Sequence, residues 1–129
     1  MENAFFATIG SNYTVENNHK GLIWLSDEPV DLGGNNQGPA PASLLLASLA
    51  SCQLITMKMY AQRKGWEMEG AKIILDMDES KEGTTIEQEI ILYGPLEESQ
   101  KTRLMEISHK CPVSKILTGK IEITDKVND

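Results

Sequence analysis

The chain has 129 residues, is 40% apolar and carries a formal charge of −7. That length suits one domain, residues 1–129, whose core closes without disulfide staples. Twelve Lys and Arg residues scattered among nineteen acids exclude the basic stripe that binds phosphate backbones, so nucleic acid is not an expected partner. The opening residues show no basic segment ahead of an apolar run, and no later run reaches the ~18 apolar residues of a membrane span. The expectation is a soluble, cytoplasmic protein with no membrane partner, in a compartment that keeps thiols reduced.

In chain order, Phe5 to Ile9, Tyr13 to Glu16 and Gly21 to Ser26 are short β-prone runs. They are separated by Gly10-Ser11-Asn12 and by Asn17-Asn18-His19-Lys20-Gly21, which reads as an N-terminal meander with hairpin turns. The Gly, Asn and Pro residues from Asp31 to Pro41 sustain neither helix nor ladder and predict a loop. Pro41 suits a first helical turn. Ser43 to Lys64 then runs about six turns without Gly or Pro until Gly65 stops it. One stripe of this helix is Leu45, Leu49, Cys52, Thr56 and Met59, another is Leu46, Ala50, Met57 and Tyr60, so it is apolar on more sides than one sheet face covers. A second subunit is the expected cover. Small residues at Ala47, Ser48, Ala50 and Ser51 leave room beside Cys52 for a ligand or another backbone.

Ala71 to Asp78 and Thr84 to Tyr93 alternate as a hairpin, with Ile73, Leu75 and Met77 on one face and Ile86, Gln88, Ile90 and Leu92 on one face of the partner strand. Pro95 opens a second helix, with Glu97 and Glu98 in its first turn and His109 and Lys110 at its end, as the helix dipole favours. Leu104, Ile107 and Cys111 form its inward stripe. Pro112 starts a short helix that Gly119 ends, and Lys120 to Val127 is expected to return as a strand. The sum is an α+β domain of antiparallel strands around a long central helix and a second helix.

The chain has two cysteines, Cys52 and Cys111, both on inward helical stripes. If they meet across the core, the protein is a redox protein with a cycling pair; if they do not, each is a buried inert thiol. Local sequence favours Cys111 as the thiolate, because it caps the Pro112 helix beside His109 and Lys110. The two histidines and two cysteines lack the close-spaced ligand pair of a zinc site, so no metal or cofactor is expected. The methionines read as core filler.

The run Asp27-Glu28-Pro29, Leu32-Gly33-Gly34, Gly38-Pro39-Ala40-Pro41 and Leu44-Leu45-Leu46-Ala47-Ser48-Leu49-Ala50-Ser51-Cys52, followed far downstream by Cys111-Pro112-Val113-Ser114, resembles the OsmC/Ohr family over nearly the whole chain. The resemblance implies an α+β fold with two central helices and an intertwined homodimer with active sites at the subunit interface. It implies that Cys52 is the peroxidatic thiolate, that Cys111 resolves it as a disulfide, and that a dithiol reductant reopens the bond. In the family an N-terminal arginine, held by a glutamate just after the helix-opening proline, supports the thiolate. This chain departs from that pattern. Its arginines are Arg63 and Arg103, and Ala42 and Ser43 follow Pro41. Lys20 or His19 stands as the substitute cation, with Glu28 to orient it, although a lysine lacks the planar fork of an arginine. Three readings remain: a peroxidase for organic or hydrogen peroxide, a binding or redox-sensing module holding an apolar small molecule on the same scaffold, and a purely structural domain.

Overall fold

The computed structural model describes residues 4–128. Its internal contacts group the chain into two compact units, Met1–Ala47 and Ser48–Asp129.

In the first unit, β1 (Phe6–Ile9), β2 (Val15–His19) and β3 (Leu22–Ser26) form an antiparallel sheet in the order β1-β2-β3. The meander is as expected, but its second turn is tighter than the sequence suggests. His19 pairs with Leu22, so Asn17 and Asn18 belong to β2 and the turn is Lys20-Gly21 alone. Both turn residues have positive φ, 51° and 80°, as a two-residue primed hairpin turn requires. Sheet pairing has overridden the turn preference of the two asparagines. The Asn17 side chain is itself buried and donates to the Trp24 carbonyl and to Ser26 Oγ.

The Gly-rich segment after β3 contains a 3-10 turn, Val30–Leu32, and is held by one carboxylate. Asp27, 2% exposed, accepts from Thr14 Oγ1 at 2.8 Å and from the backbone N–H groups of Glu28, Asn35 and Gln37. Gly34 and Gly38 are required here: a Cβ would lie 1.9 Å from the Glu28 carbonyl oxygen at the first and 2.2 Å from that of Leu25 at the second. Burial pushes the Asp27 carboxyl up, and the hydrogen bonds of Thr14, Glu28, Gln37 and Asn35 together bring it below its usual value of 3.8.

Helix α1 (Pro41–Lys64) begins on the first-turn proline and ends at Gly65. Its buried residues are Leu49, Gln53, Met57 and Ala61, one residue per turn along a single stripe. Leu45, Ile55 and Met59 remain 42%, 60% and 59% exposed. By length and composition α1 meets the requirement for crossing a bilayer, which corrects the expectation that no stretch does; 17% of that window is buried within the chain. Serines and threonines dilute the run to the eye, but its leucines, methionines and alanines keep the average apolar.

The second unit carries a long hairpin, β4 (Gly70–Ser80) and β5 (Gly83–Tyr93), then α2 (Glu98–Ser108) and α3 (Pro112–Thr118). The register sets Ala71 opposite Leu92, Ile73 opposite Ile90, Leu75 opposite Gln88 and Met77 opposite Ile86, which are the two expected faces joined into one. Helix α2 starts one turn later than Pro95 suggests, because Glu97 is its N-cap and the Gln100 side chain accepts from the Glu97 N–H. Met57, Ala61, Met68, Leu96 and Leu104 form the core, with Ala71, Ile73, Ile90 and Leu92 of the hairpin packed against it. Lys58 Nζ donates to the Met68 carbonyl and ties α1 to the chain entering β4.

Lys120 to Val127 is not a strand. Its alternation is real, yet Ile121, Ile123 and Val127 are 56%, 82% and 89% exposed. A strand exists only by pairing, and among the described residues no edge is paired with this segment.

Candidate active site: a cysteine pair beside a cavity

Cys52 lies mid-way along α1, on the flank of its buried stripe, and is half-buried. Cys111 ends the connection after α2, at the N-cap of α3, and is fully buried. Leu104, Ile107 and Ser108 are the buried face of α2, and Cys111 is buried again after the exposed His109 and Lys110. Pro112 at the first position of α3 then holds Cys111 in an extended conformation, φ −68° and ψ 148°, where its side chain points back along the helix axis. The Ser114 N–H donates to Cys111 Sγ at 3.2 Å. The Cys111 thiol also lies close enough to Cys52 to interact with it. Both cysteines are free thiols.

The electrostatics of Cys111 run against what its local sequence suggests. Burial pushes the Cys111 thiol up; the Ser114 N–H opposes this, and the neighbouring Cys52 sulfur raises it again. Helix N-terminal placement therefore does not make Cys111 the thiolate, because desolvation outweighs the backbone donors of Ser114 and Val113. His109 and Lys110 are exposed at the C-terminal end of α2.

A cavity of about 310 Å³ is lined by Leu49, Gln53, Thr84, Ile86, Gln88, His109, Ser114, Leu117 and Thr118, neighbours of the cysteines rather than the cysteines themselves. Gln53 follows Cys52 in α1, and Ser114 supplies the N–H that Cys111 accepts. The walls are mixed: Leu49, Ile86 and Leu117 are apolar, whereas Thr84, Gln88 and Thr118 offer hydroxyl and amide groups. Gln53 Oε1 is buried with no hydrogen-bond partner among the described residues. Sequence reasoning passed over Gln53. Its spacing, one turn after Leu49 and one before Met57, is the signal that places it inward.

Neither arginine serves the thiols. Arg63 and Arg103 both sit over the Tyr60 ring, which lies about 12 Å along α1 from Cys52 at the helical rise. Lys20 occupies the β2–β3 turn of the first unit, and the His19 ring lies 6.2 Å from that of Phe5. Among the described residues, no group of three His, Cys, Asp or Glu side chains is disposed to hold a metal.

Two thiols remote in sequence, one mid-way along α1 and one at the N-cap of α3, sit on an α+β fold of antiparallel sheets and one long helix. Residues 34–126 match the OsmC-like protein family, and the chain belongs to it. Solved structures agree in fold. An OsmC-like protein from Mycoplasma pneumoniae superposes with a TM-score of 0.78 at 19% identity, over 91% of this chain and 87% of that one. An organic hydroperoxide resistance protein from Legionella pneumophila gives 0.64 at 21%, over 90% and 88%. A Vibrio cholerae protein with captopril bound in one of its active sites gives 0.64 at 21%, over 92% and 85%. No curated protein sequence matches the chain.

Proposed function

We propose that the protein is a thiol-dependent peroxidase that reduces organic or hydrogen peroxides through Cys52 and Cys111. The observation that carries this reading is the nearness of two thiols remote in sequence, one half-buried and one fully buried, with a cavity large enough for a small organic molecule lined by Gln53 and Ser114 next to them. In the reading, the Cys52 thiolate attacks the distal peroxide oxygen. The O–O bond breaks, Cys52 becomes a sulfenic acid, and the alkoxide or hydroxide leaves and takes a proton. The Cys111 sulfur then displaces the sulfenic hydroxyl as water and forms the disulfide, and an external dithiol reduces it while becoming a disulfide itself. Burial gives the pair its order: Cys111 stays protonated and does not compete for peroxide, since the thiolate is the nucleophile.

Lys20 is the proposed cation for the thiolate. It is the only Lys or Arg in residues 1–47, the part of the chain where the family carries its arginine. The proposed protein is one domain over residues 1–129, cytoplasmic, and works as a homodimer; the exposed Leu45, Ile55 and Met59 of α1 and Phe6, Leu22 and Ile23 of the sheet support a second copy as their cover.

Reduced protein exposed to stoichiometric cumene hydroperoxide is expected to lose both thiols rapidly to one intramolecular bond, read by mass spectrometry. Cys52→Ser removes the reaction, whereas Cys111→Ser halts at a trappable sulfenic acid on Cys52. Unchanged thiols in the native chain would sink the reading. The missing arginine and glutamate favour a second one, a binding module for an apolar small molecule; saturable binding that survives in the Cys52→Ser, Cys111→Ser double variant, with no peroxide consumption by the native chain, would establish it.

A further inference from the structure

The C-terminal turn of α1 gathers charge that the thiol chemistry does not use. Both arginines of the chain lie on one ring: the guanidinium carbons of Arg63 and Arg103 are 5.7 and 5.5 Å from the Tyr60 centroid, and Lys64 Nζ is 5.6 Å from it. The same four residues line one open recess of about 460 Å³. Trp66 packs on Tyr60 with ring centroids 5.6 Å apart, near edge-on, and holds the platform in place.

The recess carries uncompensated positive charge. Among the described residues the ion pairs are Lys101–Glu98 and Arg103–Glu106, so Glu106 alone answers three cations. This happens in a protein whose overall charge is −7. Cations in a last helical turn complement the helix dipole, and that accounts for Arg63 and Lys64. It does not account for Arg103, which comes from α2 and is aimed by two bonds: Nε donates to Tyr60 Oη at 3.0 Å, and Nη1 pairs with Glu106 at 2.9 Å. With those two nitrogens engaged, the guanidinium still has the N–H groups of Nη2, and Tyr60, having accepted from Arg103, keeps its own O–H to donate. Planar and point donors converging with positive charge on a concave surface is the chemistry of oxyanion recognition.

We propose that Tyr60, Arg63, Lys64 and Arg103 form a binding site for a phosphate-type oxyanion carried on a small molecule, a phosphomonoester or diphosphate. A dianion suits it better than a carboxylate, because the charge left after Glu106 is twofold. The site stands apart from the cysteines and does not depend on the peroxidase reading. Its electrostatic field is visible in Tyr60, whose phenol is brought below its usual range by the Arg103 hydrogen bond and, against some desolvation, by the charges of Arg103, Lys64 and Arg63. An anion in the recess offsets that field.

Isothermal calorimetry on the full chain, in low-salt buffer free of other oxyanions, with inorganic phosphate and pyrophosphate as probes, is expected to show saturable binding that weakens as sodium chloride is added. Ultraviolet titration is expected to show one tyrosine moving upward when pyrophosphate is present, a change missing in Tyr60→Phe. The Arg63→Gln, Lys64→Gln double variant, altered at two exposed helix-end positions, is expected to lose roughly tenfold or more in affinity while its circular dichroism and its peroxide-driven disulfide formation match the native chain. Should that variant misfold, Arg103→Lys, which keeps the charge and loses the fork, decides by the same loss of affinity. Native affinity in both variants, no saturable binding of either anion at millimolar concentration, or binding confined to heparin or to phosphate-bearing vesicles would overturn the proposal.

Discussion

The β4–β5 hairpin and the β1–β3 meander are both antiparallel and both rich in Ile and Leu, yet their surroundings differ. On the hairpin, Ala71, Ile73, Ile90 and Leu92 pack onto the Met57 and Leu104 cluster, because two helices of the same unit lie over that face. On the meander, Phe6, Leu22 and Ile23 are 59%, 70% and 60% exposed, and the buried residues of its strands, Asn17 and Ser26, are polar. What secures that unit is hydrogen bonding centred on Asn17 and Asp27. Apolar content therefore marks a surface that needs cover, and does not say what covers it.

The comparison breaks or holds on stability. Leu104→Ala, at a fully buried position, is expected to cost about 2–5 kcal/mol in urea unfolding. Ile23→Ala on the meander is expected to change stability by under about 0.5 kcal/mol in chain diluted to monomer, and by more at concentrations where a second copy covers the sheet. Equal losses at both positions, independent of concentration, would end the distinction between the two units.

A smaller effect tests the polar atom inside the second unit. Gln53 Oε1 is buried without a partner among the described residues, so Gln53→Met is expected to leave stability unchanged or raise it by about 1–3 kcal/mol. A clear loss of stability would mean that the amide is satisfied in solution by a group from a second copy or a ligand.

A pH-dependent effect belongs to the Asp27 staple. Its folded carboxyl is lowered, so the stabilisation it adds is present above the usual value of 3.8 and is lost as pH falls through the lower folded value. Asp27→Asn is expected to speed hydrogen exchange at the Glu28, Asn35 and Gln37 amides at neutral pH and to lower the melting temperature there, with the gap to the native chain closing in acid. A gap that persists at low pH would mean that the ionised carboxylate is not what holds the loop.

Much of this was legible from local rules. Pro41 and Gly65 bracket α1, Pro112 and Gly119 bracket α3, and the two alternating strands join in the expected register, because proline, glycine and side-chain period act over a few residues. Local rules misjudged places where a neighbour decided: Asn17 and Asn18 joined β2 through pairing, and Lys120 to Val127 stayed irregular for want of an edge.

At the candidate site the same division holds. Two cysteines on inward helical stripes, and their resemblance to a thiol family, were properties of the sequence by itself, since both follow from residue type and spacing. That the sulfurs lie near each other, that Cys111 is the fully buried one with its thiol pushed up by that burial, that Gln53 lies inside, and that Arg103 crosses from α2 to Tyr60 were decided only by tertiary structure. Burial and charge depend on distance through space, and residues far apart along the chain acquire that distance only when α1, α2 and the hairpin pack.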